Sequence, residues 1–182
     1  MFSSEKVLQI IGYLLSLNDG KMNQLKLMKE LYLIDRLSIE ERETSVSGDI
    51  YFSMKHGPVL SATLNLLDAL GTGNAEDWSK YLASEKAKYF PDIRLKEETG
   101  TGHLSKKDKS YIEAVSTKFK STSEFDLEEF THNLPEWTDP GGSSKKIKYS
   151  DIMKALGYSE PEIATAKAEY EAITNLYGML GA

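Results

Sequence analysis

Apolar residues recur at steps of three and four along several segments of the chain, which predicts amphipathic helices. The first predicted helix starts after Ser3 or Ser4 and ends at the turn 18–20. The second helix starts after Asn23 as N-cap and carries apolar residues around most of its circumference as far as Leu37. We therefore expect it to be the central helix, with other elements packed on both of its sides.

The helical pattern gives way to alternation between residues 44 and 55. Apolar and more polar positions alternate there, with Ile50, Phe52 and Met54 against Tyr51, Ser53 and Lys55. This predicts a short, half-buried strand with its apolar residues facing inward. The sequence His56-Gly57-Pro58 is expected to end the strand, and a third helix is predicted over 58–70, because proline at the first helical position loses no hydrogen bond.

The rest of the chain adds shorter elements. A second short strand is predicted over 93–96, and further helices are predicted from Ser105, over 126–132 and from Ser150. The predicted fold class is mainly α: one compact multi-helix domain spanning residues 1–182, with one or two short β-strands or a small hairpin.

The last predicted helix has the clearest start, with Ser159 as N-cap, Pro161 in the first turn and Glu162 three residues after the cap. Its apolar residues form a narrow seam: Ile163, Ala166, Tyr170, Ile173, Tyr177 and Leu180. Two interpretations are open. The seam packs on the core of the domain, or it offers Tyr170 and Tyr177 to a partner protein or a second copy of the chain, since tyrosine is favoured at interfaces.

Composition narrows the function classes. The chain has 22 Lys plus Arg against 28 Asp plus Glu, a net charge of -6, which argues against nucleic acid as a partner. It has no cysteine, which excludes disulfides, thiol nucleophiles and cysteine-based zinc sites. The apolar run 7–17 is interrupted by polar residues, so neither a signal peptide nor a membrane span is expected. We therefore expect the protein to be cytoplasmic.

The best candidate for catalysis or metal binding is the group His132, Glu136 and Asp139, with Trp137 among them. A hydrolase or nuclease-like enzyme using these three residues is one hypothesis. The alternative is structural, with His132 and Trp137 fixing the chain and the indole N–H bonded to backbone. The three histidines form no pair at metal-ligand spacing, and neither a metal nor a cofactor is predicted.

Two aspartates are predicted to have structural roles. Asp35 interrupts the apolar run of the second helix, and a buried carboxylate there needs donors, such as backbone amides of the turn at Gly48 or the side chain of Arg36 or Lys55. Asp49 belongs to the same turn.

Several motifs together carry a family likeness. The stretches are 25–36 (LKLMKELYLIDR), 47–51 (SGDIY), 54–59 (MKHGPV), Leu104-Ser105 and Thr131-His132-x-x-Pro135-x-Trp137. In this order and spacing the chain resembles, over roughly residues 5–160, the Panacea domain of SocA-like, phage-associated antitoxins. That family shows a Lys-Leu-x-Lys-Leu-Leu-Tyr-x-x-Asp block, then Gly-Asp-x-Tyr, then a Lys-Tyr/His-Gly-Pro turn.

The resemblance implies a bacterial antitoxin, not an enzyme, that neutralises a cognate protein toxin by direct binding. One branch of the family instead acts as an adaptor that delivers its toxin to an AAA+ protease. For partner contact we single out the turn formed by Lys55, His56, Gly57 and Pro58, because surface loops on a rigid support often carry function. A purely structural turn is the alternative.

Overall fold

The chain forms helices interspersed with short strands. The structure, a computed structural model, describes residues 2–179, without the side chains of Glu76, Tyr170 and residues 173–179. The described helices are α1 (Ser4–Ser16), α2 (Gln24–Arg42), α3 (Ser61–Gly71), α4 (Glu76–Ser79), α5 (Lys106–Phe119), α6 (Glu124–His132), α7 (Tyr149–Ala155) and α8 (Glu160–Met179). The strands are β1 (Lys21–Asn23), β2 (Tyr51–Met54), β3 (Gly57–Leu60), β4 (Leu82–Glu85), β5 (Asp92–Leu95) and β6 (Lys145–Ile147).

Helix α2 lies at the centre of the fold, as predicted. Its side chains from Leu27 to Ile34 are buried on every side, and α5, α6, α7 and β3 all pack against it. The helix begins where expected, because the Asn23 side chain accepts a hydrogen bond from the backbone N–H of Leu25 at 3.0 Å.

The strands form two antiparallel sheets, with orders β1-β5-β4 and β3-β2-β6. The mainly helical prediction is confirmed in outline, but one or two strands was too few. The third helix begins at Ser61, not at Pro58, because Pro58 lies in β3 and pairs with Ser53 of β2. Strand β3 is at the edge of its sheet, where a residue without a backbone N–H is tolerated.

The predicted inward face of β2 was wrong. Tyr51 and Ser53 are 3% and 1% exposed, whereas Ile50, just before the strand, is 51% exposed, and Phe52 and Met54 are half-buried. The two polar side chains are tolerated inside because each has a partner: the Tyr51 hydroxyl donates to Asp35, and Ser53 accepts from the backbone N–H of Thr138. Alternation identified the strand, but not which face is buried.

The C-terminal helix starts as predicted, with the backbone N–H of Ser159 donating to Glu162 at 2.8 Å. Ile163 and Ala166, the first two members of the seam, are buried in the core. The side chains of Tyr170, Ile173 and Tyr177, and all of Leu180, lie outside the described part. Within residues 2–179, no helix combines the length and apolarity that crossing a membrane requires.

Candidate partner-binding surface

Asp35 connects the central helix to the loop that leads into β2. Its carboxylate is 1% exposed and accepts hydrogen bonds from the backbone amides of Val46 and Ser47, both at 2.8 Å, from the Tyr51 hydroxyl at 2.9 Å and from the Ser47 hydroxyl. Burial raises the pKa of the Asp35 carboxyl, and these hydrogen bonds oppose that effect. Of the donors expected from the sequence, the structure supplies backbone amides of this loop rather than Arg36 or Lys55.

Asp49 connects the same loop to the start of helix α3. It accepts hydrogen bonds from the amides of Ala62 and Thr63, at 3.0 and 2.9 Å, and from the Thr63 hydroxyl at 2.7 Å. Helix α3 has no capping side chain of its own, since its N-cap residue is Leu60. Asp49 therefore satisfies the amides that the start of α3 leaves free.

Two side chains form hydrogen bonds to the backbone at the turn between β2 and β3. The ammonium of Lys29, which is 0% exposed, donates to the carbonyl of Pro58 at 2.9 Å, and the Trp137 indole N–H donates to the carbonyl of Met54 at 3.4 Å. Burial lowers the pKa of Lys29 to about 7. Within the turn, Gly57 and Pro58 are buried, whereas Lys55 is exposed and the side chain of His56 is 45% exposed. Of the four residues of this turn, only Lys55 and His56 have side chains that solvent reaches.

Gly57 is the position of this turn that tolerates substitution least. Its φ is +91°, and a β-carbon there would lie 2.9 Å from both Lys29 Nζ and Thr131 Oγ1. We expect Gly57→Ala to lower the free energy of unfolding by about 1–3 kcal/mol, because it adds crowding to an unfavourable backbone conformation. Gly73→Ala is the matched control, since Gly73 has a φ of +77° with nothing within 4 Å. Urea denaturation measures both, and equal losses would contradict the crowding argument.

At the turn and next to it lies a group of exposed or half-buried aromatic side chains. The His56 ring packs edge-on against Phe90 with centroids 5.2 Å apart, and Tyr89 packs in the same way against Phe125 at 5.5 Å. Tyr89 is 66% exposed and Phe125 is 44% exposed. His56 Nδ1 lies 2.8 Å from a carboxylate oxygen of Glu128, one turn after Phe125 on α6. We call His56, Tyr89, Phe90 and Phe125 the aromatic patch.

The sequence did not single out Tyr89 or Phe125 as contact residues. One local feature of the sequence could have indicated that Tyr89 is exposed. Tyr89 and Phe90 lie in the stretch 86–91 (KAKYFP), where apolar residues do not recur at the spacing of a buried helix or strand face. Exposed aromatic groups of this kind are enriched at protein interfaces.

His132 and Trp137 form a stacked pair, with ring centroids 4.2 Å apart and planes at 21°. Burial lowers the pKa of His132, and its Nε2 atom has no hydrogen-bond partner. Since the Trp137 indole bonds to β2, the stack fixes the end of α6 against the sheet whose β2–β3 turn contains His56.

The other two residues of the candidate catalytic group have separate partners. Glu136 accepts hydrogen bonds from the Tyr32 hydroxyl at 2.9 Å and from Arg36 Nε at 2.8 Å. Asp139 is exposed and accepts from the backbone N–H of Gly141 at 2.9 Å. In the described part of the chain, no hydrogen bond or ion pair joins His132, Glu136 and Asp139, and no group of three His, Asp or Glu residues is arranged to hold a metal ion.

A family model for the antitoxin SocA-like, Panacea domain matches residues 27–138, more than half of the chain. The chain belongs to this family, which confirms the resemblance drawn from its motifs. The matched segment contains Asp35, Asp49, the turn 55–58 and every residue of the aromatic patch, whereas α8 lies outside it. No curated protein and no solved structure matches the chain.

Proposed function

We propose that this protein is an antitoxin that neutralises a cognate protein toxin by direct binding through the aromatic patch. The observation that carries the proposal is that two aromatic ring pairs, the exposed pair Tyr89–Phe125 and the half-buried pair His56–Phe90, lie within the segment matched to the antitoxin family. We place the toxin–antitoxin pair in a bacterial cytoplasm, among phage-associated genes, as the family resemblance implies.

The support beneath the patch favours tight binding. Binding costs free energy when loops and side chains become ordered, and a surface that is already ordered avoids much of that cost. Here Lys29 and Trp137 hold both sides of the turn, and Glu128 holds His56. Large aromatic side chains on such a support are the usual binding hot spots.

Co-expression with the neighbouring open reading frame tests the proposal. We expect that neighbour to stop growth when expressed alone and growth to be restored when this chain is present. A harmless neighbour, or one that stays toxic beside this chain, would contradict the proposal. A toxin whose half-life shortens only when this chain and an AAA+ protease are both present would indicate the adaptor role instead.

Substitutions in the aromatic patch should weaken binding without unfolding the protein. We expect Tyr89→Ala and Phe125→Ala each to weaken toxin binding roughly ten- to a hundredfold, the usual cost of truncating an aromatic hot spot. Both side chains lie at the surface, 66% and 44% exposed, so the melting temperature should change little. Ile50→Ala is the matched control, because Ile50 is an exposed apolar residue outside the patch. Calorimetric titration of the toxin measures the effect, and equal affinities for all three variants would exclude the patch as the contact surface.

A further inference from the structure

The outer face of α6 combines exposed phenylalanines with carboxylates. Leu127 and Thr131 are fully buried and fix the inner face of the helix. On the outer face, Phe125 and Glu129 lie one turn apart, as do Asp126 and Phe130. Phe125 and Phe130 are 44% and 41% exposed, and Asp126 and Glu129, which lie between them, are also exposed. We call these four residues the α6 face.

The negative charge of this face is not balanced by ion pairs. Helix α6 contains Glu124, Asp126, Glu128 and Glu129 and no lysine or arginine. Among the ion pairs of residues 2–179, none involves Glu124, Asp126 or Glu129, and the hydrogen bond that Asp126 accepts through its side chain comes from Ser123. Some other surface carboxylates are paired, as Glu85 is with Arg94 and Glu41 with Lys107.

An apolar groove of about 300 Å³ borders the α6 face on the side away from the aromatic patch. Phe130 lines it and packs against Phe119 of α5 at 5.2 Å between centroids. Leu33, Leu37 and Leu134 belong to its apolar wall, and the charged side chains of Arg36, Glu40 and Lys118 also line it. The α6 face is therefore flanked by the aromatic patch on one side and by a groove able to receive an apolar side chain on the other.

We propose that the α6 face docks a lysine- and arginine-rich surface of the toxin, which inserts an apolar side chain into the groove beside Phe130. This inference rests on the proposed function and adds the chemistry of the partner. Unpaired carboxylates between apolar anchors attract a basic surface from a distance, and the anchors then hold it. Proteins use lysine- and arginine-rich surfaces to bind phosphate groups of nucleic acids, so covering one would block a toxin that acts there.

Charge also argues against a second copy of the chain as the occupant. Each copy has a net charge of -6, and a symmetric contact would bring two α6 faces together. Like charges that face each other across an interface oppose association. A basic partner would not be repelled by the carboxylates in this way.

The test uses the toxin that this chain neutralises in co-expression and compares Glu129→Gln and Glu129→Lys with the wild type. The side chain of Glu129 makes no hydrogen bond or ion pair with any described residue, so both variants should fold normally, which thermal melting checks. We expect association to slow several-fold for Glu129→Gln and roughly tenfold or more for Glu129→Lys at low ionic strength, with the difference disappearing in high salt. Glu98→Lys is the matched control: the same charge change at an exposed carboxylate, in the loop after β5.

Equal association rates for Glu129→Lys and the wild type at low salt would overturn the inference, as would a loss that salt does not reduce or one that Glu98→Lys shares. Dimerisation through the α6 face, detected by light scattering and removed by Glu129→Lys, would also overturn it. If the wild type neutralises its toxin and these variants bind normally, the inference fails alone. If the wild type neutralises nothing, the proposed function fails.

Discussion

Asp35→Ala is expected to lower the free energy of unfolding by roughly 3–5 kcal/mol, because it leaves four buried donors without their acceptor. These donors are the amides of Val46 and Ser47 and the hydroxyls of Ser47 and Tyr51. The space is closed, since Asp35 is 1% exposed and Tyr51 is 3% exposed, so water cannot easily replace the carboxylate. Urea denaturation measures the loss.

Asp35→Asn tests the hydrogen-bonding role of the side chain while leaving its buried volume almost unchanged. Asparagine has nearly the same shape and keeps one acceptor oxygen, but its amide group faces a donor. We expect a smaller loss than for alanine. A change below about 1 kcal/mol for Asp35→Ala would contradict the structural role assigned to this carboxylate.

Glu30→Met is expected to stabilise the protein above neutral pH. Glu30 is 0% exposed, and neither carboxylate oxygen has a hydrogen-bond partner; the ammonium of Lys26 is 3.9 Å away. Burial raises the pKa of Glu30 from 4.5 to about 7. The folded state therefore binds more protons than the unfolded state between these values, and its stability falls as pH rises through that window.

The size of the effect follows from the same pKa. The loss amounts to roughly 3 kcal/mol once pH exceeds 7, and Glu30→Met should remove it. Denaturation curves from pH 4.5 to 8 should show the variant gaining stability over the wild type as pH rises. Glu30→Gln is the matched variant, because it removes the charge and keeps the buried polar group, so it should lose the pH dependence but gain less stability.

Comparing variant with wild type at each pH also isolates Glu30 from Lys29. Burial lowers the pKa of Lys29 to about 7 in the folded protein. Above that pH the Lys29 side chain binds more protons in the unfolded protein than in the folded one, so its contribution to stability rises with pH. This contribution is common to both proteins and cancels in the difference. Parallel stability curves for Glu30→Met and the wild type would show that the Glu30 carboxylate is not destabilised by burial.

Most of the helices could be predicted from the sequence because their signals are local, although α4 was missed and α3 begins later than predicted. Asn23, Ser105 and Ser159 each mark a helix start within a few residues. The side chains of Asn23 and Ser105 accept capping hydrogen bonds from backbone amides, and the backbone N–H of Ser159 donates to the side chain of Glu162. Alternation also predicted β2 and β5, but the remaining described strands were missed, because they have three or four residues each, and β1 and β6 pair with segments far away in the chain. Strand β6, for example, joins Ile147 to Tyr51. A pattern of three residues carries no reliable period.

The candidate site was predictable only where a residue type conflicts with its surroundings. Asp35 stood out because it interrupts an apolar run, and the turn at Gly57-Pro58 stood out by its composition. Phe125 gave no such signal, since a phenylalanine two residues before the buried Leu127 looks like part of the core. Its exposure depends on how α6 is rotated against α2, which is a property of the packed fold.

The most direct test of the central claim is a titration of purified toxin activity with this purified chain, without any protease. Direct neutralisation predicts that inhibition rises linearly and ends at a fixed, near-stoichiometric ratio, and that Phe125→Ala requires far more protein than Ile50→Ala to reach the same inhibition. Inhibition that continues at small substoichiometric amounts would indicate an enzyme. No inhibition until an AAA+ protease is added would indicate an adaptor. Either result would contradict neutralisation by binding.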